Sequence, residues 1–302
     1  MSGHVIGFLV LCAASSAATK PAATVEGVYP GLATGALTQA RLADLPEGVW
    51  VKAPGVSLGK ADVEKELAGA DETVRPQFEA QTFFIAEHLA ARRLLLAEAK
   101  AAAPTATRPA AQAEDDLLDA LLRPIAQKVK VDDAEVKAFY DRNAKMFGGA
   151  ALKDVKTEIE IYLRDEKANA AVQGYVRDLG RRMDIQVSAA WAKAQFAVAR
   201  DNEVDKARWS GKRPTLVAFG CARCCGPDET QPLMGAVAER LKDQANVLYV
   251  DGQRDAVLAA RYGAATWPTF IFFDAQGREI DRRTGAQEEE DLVALATKAA
   301  GK

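Results

Sequence analysis

The most constraining feature of the sequence is a change of hydrophobic period near residue 215. Thr215 to Phe219 is a short β-branched and aromatic run between Pro214 and Gly220, which is typical of a buried strand. Similar runs predict strands over 246–250, 269–273 and 278–283, and helical patterns predict helices through Leu233, Val237 and Leu241 and over 256–262 and 288–299. Asp274 to Gly277 predicts a turn. This order predicts an α/β sandwich with a mixed central sheet.

The same segment contains the motif Trp267-Pro-Thr-Phe270 at the start of its third strand. With the order of elements, this motif makes residues 203–302 resemble the thioredoxin family, in which a cis-proline loop lies against a Cys-x-x-Cys motif at the start of a helix. Phe219 ends the first strand, Cys224 comes 5 residues later, and Pro268 lies 44 residues beyond Cys224. Both spacings match the family without a gap if Cys224 takes the attacking position.

The resemblance implies roles for residues around that loop. Pro268 would shape a groove for an extended substrate, and Trp267 would cover the reacting sulfur. Thr269 and Arg223 complete the predicted substrate-binding set. Pro232 falls on the proline that the family places within the helix after the active-site loop.

Three of the chain's four cysteines, Cys221, Cys224 and Cys225, stand within five positions. In the register of the family, the resolving cysteine falls on Pro227 and the buried acid of the first strand falls on Ala218. Two linked parts of the ordinary dithiol mechanism are therefore absent. The predicted catalytic set is Cys224 as nucleophile, with Cys221 or Cys225 resolving the mixed disulfide.

Three disulfide pairings remain open. Cys221 with Cys224 ranks first: a turn brings residues three apart into the range of about 4.4–6.8 Å that a disulfide needs between Cα atoms, whereas full extension separates them by about 10 Å. Cys221 with Cys225, across a helical turn, ranks second. Adjacent Cys224 and Cys225 rank last, because a trans peptide holds their Cα atoms about 3.8 Å apart.

The reactivity of Cys224 depends on its thiolate character. A helix N-terminus and the neighbouring Arg223 both favour the anion, whereas Asp228 and Glu229 oppose it. Pro227 is a natural first helical residue, which would leave Cys224 in the preceding loop.

The cluster favours thiol chemistry over a cofactor or metal. Cys225 stands where the c-type haem motif has its histidine. Zinc usually takes four ligands, and the region offers three thiolates with no histidine nearby, although Cu(I) could use two or three thiolates. We therefore expect no cofactor and no metal. The remaining alternative is that the three cysteines are small buried hydrophobic residues.

The N-terminus predicts export. Val5 to Ala14 is apolar apart from Gly7, and small residues lead to Ala18, so residues 1–18 resemble a signal peptide. The run is shorter than the roughly 20 residues that span a bilayer. We expect a periplasmic or otherwise extracytoplasmic protein, associated with a membrane only if Cys12 is lipidated or the signal is uncleaved.

The region between predicts a helical domain. Residues 19–48 show little periodicity and predict a loose lead-in, residues 49–187 a helical domain, and residues 188–202 a linker. Three stripes at steps of three and four contain Phe84, His88, Leu95 and Leu96; Val136, Phe139 and Tyr140; and Val155, Ile159, Tyr162 and Leu163. Asp132 and Glu135 predict a capping box. We interpret His88 as a partly buried helix residue.

Three segments of this region, Pro54–Leu67, Leu94–Lys100 and Val131–Asn143, resemble the N-terminal chaperone domain of SurA- and PrsA-type foldases. The resemblance implies a helical cradle that binds unfolded polypeptide through apolar surface. The parvulin domain that often follows has no counterpart here, so prolyl isomerase activity is not predicted. The alternative is that the stripes pack on one another.

The 302 residues with net charge −3 give no electrostatic case for nucleic acid. Our leading hypothesis is an exported protein that performs thiol-disulfide exchange or isomerisation on polypeptides held by the helical domain, with an external redox partner. The alternative is a binding protein that retains the fold as a peptide-docking surface without turnover.

Overall fold

The computed structural model describes residues 23–72, 75–102, 110–221 and 229–299. The expected signal peptide with Cys12, and the positions Arg223, Cys224 and Cys225, lie outside these residues, so their roles remain predictions. Over the described part of the chain, no helix has the length and apolar character needed to cross a membrane.

The N-terminal part combines helices with a small sheet. Its helices are α1 (Val25–Val28), α2 (Lys60–Leu67), α3 (Arg75–Ala80), α4 (Thr82–Ala102), α5 (Ala110–Gln127), α6 (Asp133–Arg142), α7 (Leu152–Arg182) and α8 (Ala189–Ala199), with a 3-10 turn over Ala144–Phe147. Its strands are β1 (Arg41–Ala43), β2 (Val49–Ala53), β3 (Val56–Gly59) and β4 (Gln186–Ser188).

The C-terminal part alternates strands and helices. Its strands are β5 (Thr215–Gly220), β6 (Asn246–Asp251), β7 (Thr269–Phe273) and β8 (Glu279–Thr284). Its helices are α9 (Glu203–Arg208), α10 (Thr230–Leu241), α11 (Ala256–Arg261) and α12 (Glu289–Ala299).

The N-terminal sheet corrects the expectation that residues 49–187 are helical throughout. The strand order is β1-β4-β2-β3, with β1 parallel to β4 and β2 antiparallel to both β3 and β4. Pro54 and Gly55 form the turn between β2 and β3, and Gly55 supplies the positive φ of 71° that this turn requires. Strands from both ends of the region therefore meet in one sheet.

The expected loose lead-in is also a packed segment where the structure describes it. Val25 and Leu37 are fully buried in the N-terminal core. A Cβ added to Gly180 would lie 2.1 Å from the carbonyl oxygen of Ala36, so α7 and this segment touch backbone to backbone. The segment lacks periodicity because small residues in turns bury their side chains without forming a long helix.

The expected linker contains helix α8, which packs on the N-terminal sheet. Ser188 caps the helix by accepting a hydrogen bond from the backbone N–H of Trp191 at 3.4 Å. The Trp191 ring stacks on Trp50 of β2 with centroids 4.8 Å apart, and Ala192 is fully buried. α8 thus belongs to the N-terminal core.

Helix α4 runs through the N-terminal core and confirms part of the predicted stripe, because Leu95 and Leu96 are buried while Phe84 is half-buried. Phe83, Ala86, Ala90 and Leu94 are its most deeply buried apolar side chains. His88 is exposed, and its Nδ1 lies 2.9 Å from the Phe84 carbonyl oxygen, so the prediction of partial burial was wrong.

Helices α6 and α7 form a separate small core, and the capping box at the start of α6 is confirmed. Asp132 accepts from the Glu135 N–H at 2.8 Å, and Glu135 accepts from the Asp132 N–H at 3.0 Å. Val136 and Phe139 of α6 bury against Ile159 of α7. These two stripes pack on one another, as the simpler alternative predicted.

The C-terminal part is the predicted α/β sandwich with a mixed sheet. The strand order is β6-β5-β7-β8, with β5 parallel to β6 and β7 antiparallel to β5 and β8. Val204 of α9 and Leu258 of α11 bury against one face. Val237 of α10 and Leu292 of α12 bury against the other. All four strands and the helices α11 and α12 lie within two residues of the predicted bounds.

The two parts contact one another through specific hydrogen bonds. The Gln77 side chain of α3 donates to the carbonyl oxygen of Arg254 and accepts from the N–H of Val257 at 3.5 Å, which ties α3 to the start of α11. At the end of α11, the Arg261 guanidinium donates to the Gly31 carbonyl oxygen at 3.3 Å. The helix α11 is therefore held at both ends by the N-terminal part.

Candidate functional site

The cis-proline loop forms as the family resemblance implies. The peptide bond between Trp267 and Pro268 is cis. Thr269, directly after it, is buried and donates its hydroxyl hydrogen to the Thr266 carbonyl oxygen at 2.5 Å. The Gly285 N–H donates to the Pro268 carbonyl oxygen at 2.9 Å, which fixes the loop against the end of β8.

The Trp267 indole lies beside this loop on a glycine. Its Nε1 donates to the Ala264 carbonyl oxygen at 3.1 Å. A Cβ added to Gly252, the residue directly after β6, would lie 2.7 Å from the indole ring. The ring therefore fills the space that a side chain at position 252 would need. Its predicted role of covering the Cys224 sulfur remains a prediction, because Cys224 lies outside the described residues.

Strand β5 ends beside the cis-proline loop. Phe219 is paired with Thr269 across β5 and β7, so Cys221, two residues after Phe219, and Pro268 are brought to the same edge of the sheet. Cys221 is disulfide-bonded, with a partner outside the described residues. The pairing of Cys221 with Cys224 therefore remains a prediction.

The structure describes two of the positions that the sequence analysis compared with the family, Ala218 and Pro232. Ala218 is fully buried in β5, opposite Phe270 and Tyr249, where the family register places an acid. Helix α10 begins at Thr230, so Pro232 lies in its first turn, where a proline costs no helical hydrogen bond. Pro227, the expected first helical residue, lies outside the described residues.

A buried charged network lies on the face of this sheet that α9 and α11 cover, and sequence reasoning did not find it. The Asp205 carboxylate of α9 accepts from Arg261 at 3.3 Å, Tyr262 at 3.2 Å and the Asn202 side chain at 2.7 Å. Burial, and next the charge of Asp205, raise the pKa of Tyr262 to about 12. No local motif signals this network, because Asp205 and the pair Arg261 and Tyr262 lie more than 50 residues apart in sequence.

Tyr162 of α7 brings the N-terminal part to the cis-proline loop. Its hydroxyl donates to the Glu166 carboxylate at 2.7 Å and lies 3.2 Å from the Thr284 hydroxyl. Thr284 is paired directly with Thr269 across β7 and β8. Burial raises the pKa of Tyr162. The sequence placed this residue in a packing stripe and contained no signal for the contact.

Within the described ranges, no group of three or more histidine, cysteine, aspartate or glutamate side chains could hold a metal ion. The predicted catalytic cysteines Cys224 and Cys225 and the predicted substrate contact Arg223 fall in the segment between 221 and 229. Of the predicted site, the structure brings together Cys221, Trp267, Pro268 and Thr269.

The comparisons with known proteins agree with this geometry. The thioredoxin family profile matches residues 195–298. The chloroplastic thioredoxin Y2 of Arabidopsis thaliana is 36% identical over 93 residues, which are 30% of this chain and 54% of that protein. The chain thus spans about half the length of this plant relative.

A second relative is covered more completely. The thioredoxin-like protein slr0233 of Synechocystis sp. is 30% identical over 82 residues, which are 27% of this chain and 76% of that protein. Among solved structures, a point-mutant thioredoxin of Halobacterium salinarum is 24% identical, with a TM-score of 0.28, and the match covers 33% of this chain and 86% of that one.

Proposed function

The chain belongs to the thioredoxin family through its C-terminal part, and from this premise we propose that it performs thiol-disulfide exchange or isomerisation on polypeptide substrates. The observation that carries the proposal is a disulfide at Cys221 directly after β5, at the sheet edge that also holds the cis peptide bond of Pro268. Both features of a thiol-disulfide site thus meet at one place.

The reaction balances without a cofactor. In the reducing direction, the Cys224 thiolate attacks one sulfur of a substrate disulfide, forms a mixed disulfide and releases a substrate thiolate, which takes up a proton. The thiolate of Cys221 or Cys225 then attacks the Cys224 sulfur, releases the second substrate thiol and leaves a protein disulfide. A redox partner protein with a dithiol reduces that disulfide. Oxidation of a substrate dithiol runs the same steps in reverse.

The helical N-terminal part would hold the polypeptide, as its resemblance to SurA- and PrsA-type chaperone domains implies. A cavity of about 1220 Å³ beside α4, with apolar wall that includes Phe78, Phe84 and Leu89 and charged residues among its lining, supports this role. Together with the signal-like residues 1–18, this argues for work on exported polypeptides in an extracytoplasmic compartment, where disulfides persist.

The exchange activity is tested on purified protein with insulin reduction and with refolding of scrambled ribonuclease. Wild type should accelerate at least one of these reactions, and Cys224→Ser should lose the activity because the mixed disulfide cannot form. Cys225→Ser is the matched serine variant. If it keeps the activity, Cys221 resolves the mixed disulfide; if it loses the activity, Cys225 does. If wild type and Cys224→Ser both match buffer alone, the exchange activity is refuted.

A second function, peptide binding without turnover, is favoured by the fully buried Ala218, since it occupies the place of the family's proton-accepting acid. It predicts that suppression of client aggregation survives replacement of Cys221, Cys224 and Cys225 by serine. Loss of that suppression in the triple variant would count against it.

A further inference from the structure

A small cavity lies between the α6–α7 core and the edge strand β8. Its volume is about 200 Å³, comparable to one amino-acid side chain. Phe139 of α6 and Leu163 of α7 contribute apolar wall, while Arg142, Arg282 and Arg283 line it with guanidinium groups. The N-terminal and C-terminal parts of the chain therefore build this cavity together.

The cavity borders the cis-proline loop. Thr284 lines it and is paired with Thr269, the residue after Pro268. The next residue, Gly285, donates its N–H to the Pro268 carbonyl oxygen at 2.9 Å. The cavity is therefore a neighbour of the loop at which the proposed polypeptide substrate binds.

The charges around the cavity favour an anionic side chain. Three guanidinium groups line it against a single carboxylate, that of Glu166, which accepts the Tyr162 hydroxyl hydrogen at 2.7 Å. Arg282 is paired with Glu279 at 2.8 Å and Arg283 with Asp281 at 3.1 Å, and neither carboxylate lines the cavity.

Arg142 differs from the other two arginines. Its Nε donates to the Ala138 carbonyl oxygen at 3.1 Å, and among the described residues no carboxylate forms an ion pair with it. A guanidinium group that lacks a counter-charge can bind a carboxylate with two parallel hydrogen bonds. The apolar wall matches the methylene groups that precede such a carboxylate in a glutamate.

We propose that this cavity is a subsite for an acidic side chain, preferentially glutamate, of the polypeptide that binds at the cis-proline loop; the proposal rests on the exchange function above. The N-terminal part thereby selects substrates for the thioredoxin-fold part through Arg142. A glutamate near the substrate cysteine would supply the carboxylate partner that the described residues do not give Arg142.

The experiment measures binding of short peptides to the full chain at low salt. Each peptide has serine in place of the substrate cysteine, glutamine elsewhere, and one glutamate moved through the flanking positions. At least one glutamate peptide should bind roughly two- to five-fold more tightly than the all-glutamine peptide, as for a partly exposed ion pair, and salt should remove the preference.

Two variants and a control locate the effect. Arg142→Gln should bind the glutamate and glutamine peptides equally, and Arg142→Glu should prefer a lysine peptide. Arg164→Gln, an exposed arginine on α7 outside the cavity lining, should keep the wild-type preference. A preference that persists in Arg142→Gln, or no glutamate preference in wild type, including no binding of any peptide, overturns the proposal.

Turnover of the corresponding disulfide peptides separates this proposal from the function on which it rests. Glutamate preference in binding without turnover of any disulfide refutes the exchange activity and leaves the subsite in place. Turnover that is equal for glutamate and glutamine peptides refutes the subsite and leaves the exchange activity in place.

Discussion

Each part of the molecule buries a carboxylate almost completely, and the two are held in different ways. Glu87 of α4 accepts backbone N–H groups from Thr34, Gly35 and Leu37 at 2.9–3.1 Å, so neutral donors of one loop surround it. Asp205 of α9 is paired with the buried guanidinium of Arg261. The first carboxylate organises a loop, whereas the second neutralises a charge, so their removal should have different costs.

The largest effect is expected at Asp205. The side chains of Asp205 and Arg261 are 4% and 6% exposed, so Asp205→Asn leaves a buried guanidinium without its counter-charge. We expect the free energy of unfolding to fall by about 3–5 kcal/mol, measured by urea denaturation. Asp184→Asn, in the exposed pair with Arg41, is the control and should cost less than about 1 kcal/mol. Equal losses would remove the distinction between buried and exposed pairs.

The same network predicts a loss of stability at high pH. The pKa of Tyr262 is raised to about 12, so between pH 10 and 12 the unfolded state loses its phenolic proton while the folded state keeps it. The unfolding free energy of wild type should therefore fall by about 2 kcal/mol over this interval relative to Tyr262→Phe. Tyr140→Phe, which retains Tyr262, should keep the wild-type slope. Identical slopes in wild type and Tyr262→Phe would refute the raised pKa.

Glu87 tests the other half of the comparison. In Glu87→Gln one carboxylate oxygen becomes an amide that donates, so at least one of the loop N–H groups loses its acceptor in a buried place. We expect a loss of about 2 kcal/mol in unfolding free energy. Glu64→Gln, on the exposed face of α2, should change it by less than about 0.5 kcal/mol. A cost above that of Asp205→Asn would reverse the ranking of the two carboxylates.

The smallest effect concerns the contact that joins the two parts. Tyr162→Phe and Thr284→Val each remove one partner of the 3.2 Å hydroxyl contact. A double-mutant cycle on unfolding free energy should give a coupling of about 1 kcal/mol. Tyr140→Phe, whose hydroxyl binds the Ala150 carbonyl oxygen within the α6–α7 core, should show no coupling to Thr284→Val. Coupling near zero for both tyrosines would mean that the contact contributes nothing to joining the parts.

The accuracy of the sequence prediction in each part depends on the length and the residue pattern of its strands. In β7 every residue is buried and the run from Thr269 to Phe273 is β-branched or aromatic, so the pattern is local and complete. In the N-terminal sheet, β1 and β4 have three residues each and pair across more than 140 positions. A strand that short carries no period, so only tertiary structure reveals it.

The candidate site divides in the same way. The cis peptide bond of Pro268 was an expectation from the family resemblance that the Trp267–Phe270 motif carries, and the structure contains it. The contact of Tyr162 with Thr284 and the pair of Asp205 with Arg261 depend on how separate elements pack, and no residue spacing encodes them. Their partners are common polar residue types in ordinary helical and strand contexts, so the sequence does not distinguish them from solvent-exposed residues.

The close approach of Gly252 and Trp267 has a consequence for how this family branch can vary. With a Cβ at position 252 only 2.7 Å from the indole, no side chain fits there while residue 267 is tryptophan. Among close relatives, the two positions should therefore covary: glycine at 252 wherever 267 is a large aromatic residue, and larger residues at 252 only where 267 is small. Paired replacements at positions 252 and 267 would then show that this contact beside the cis proline constrains both residues.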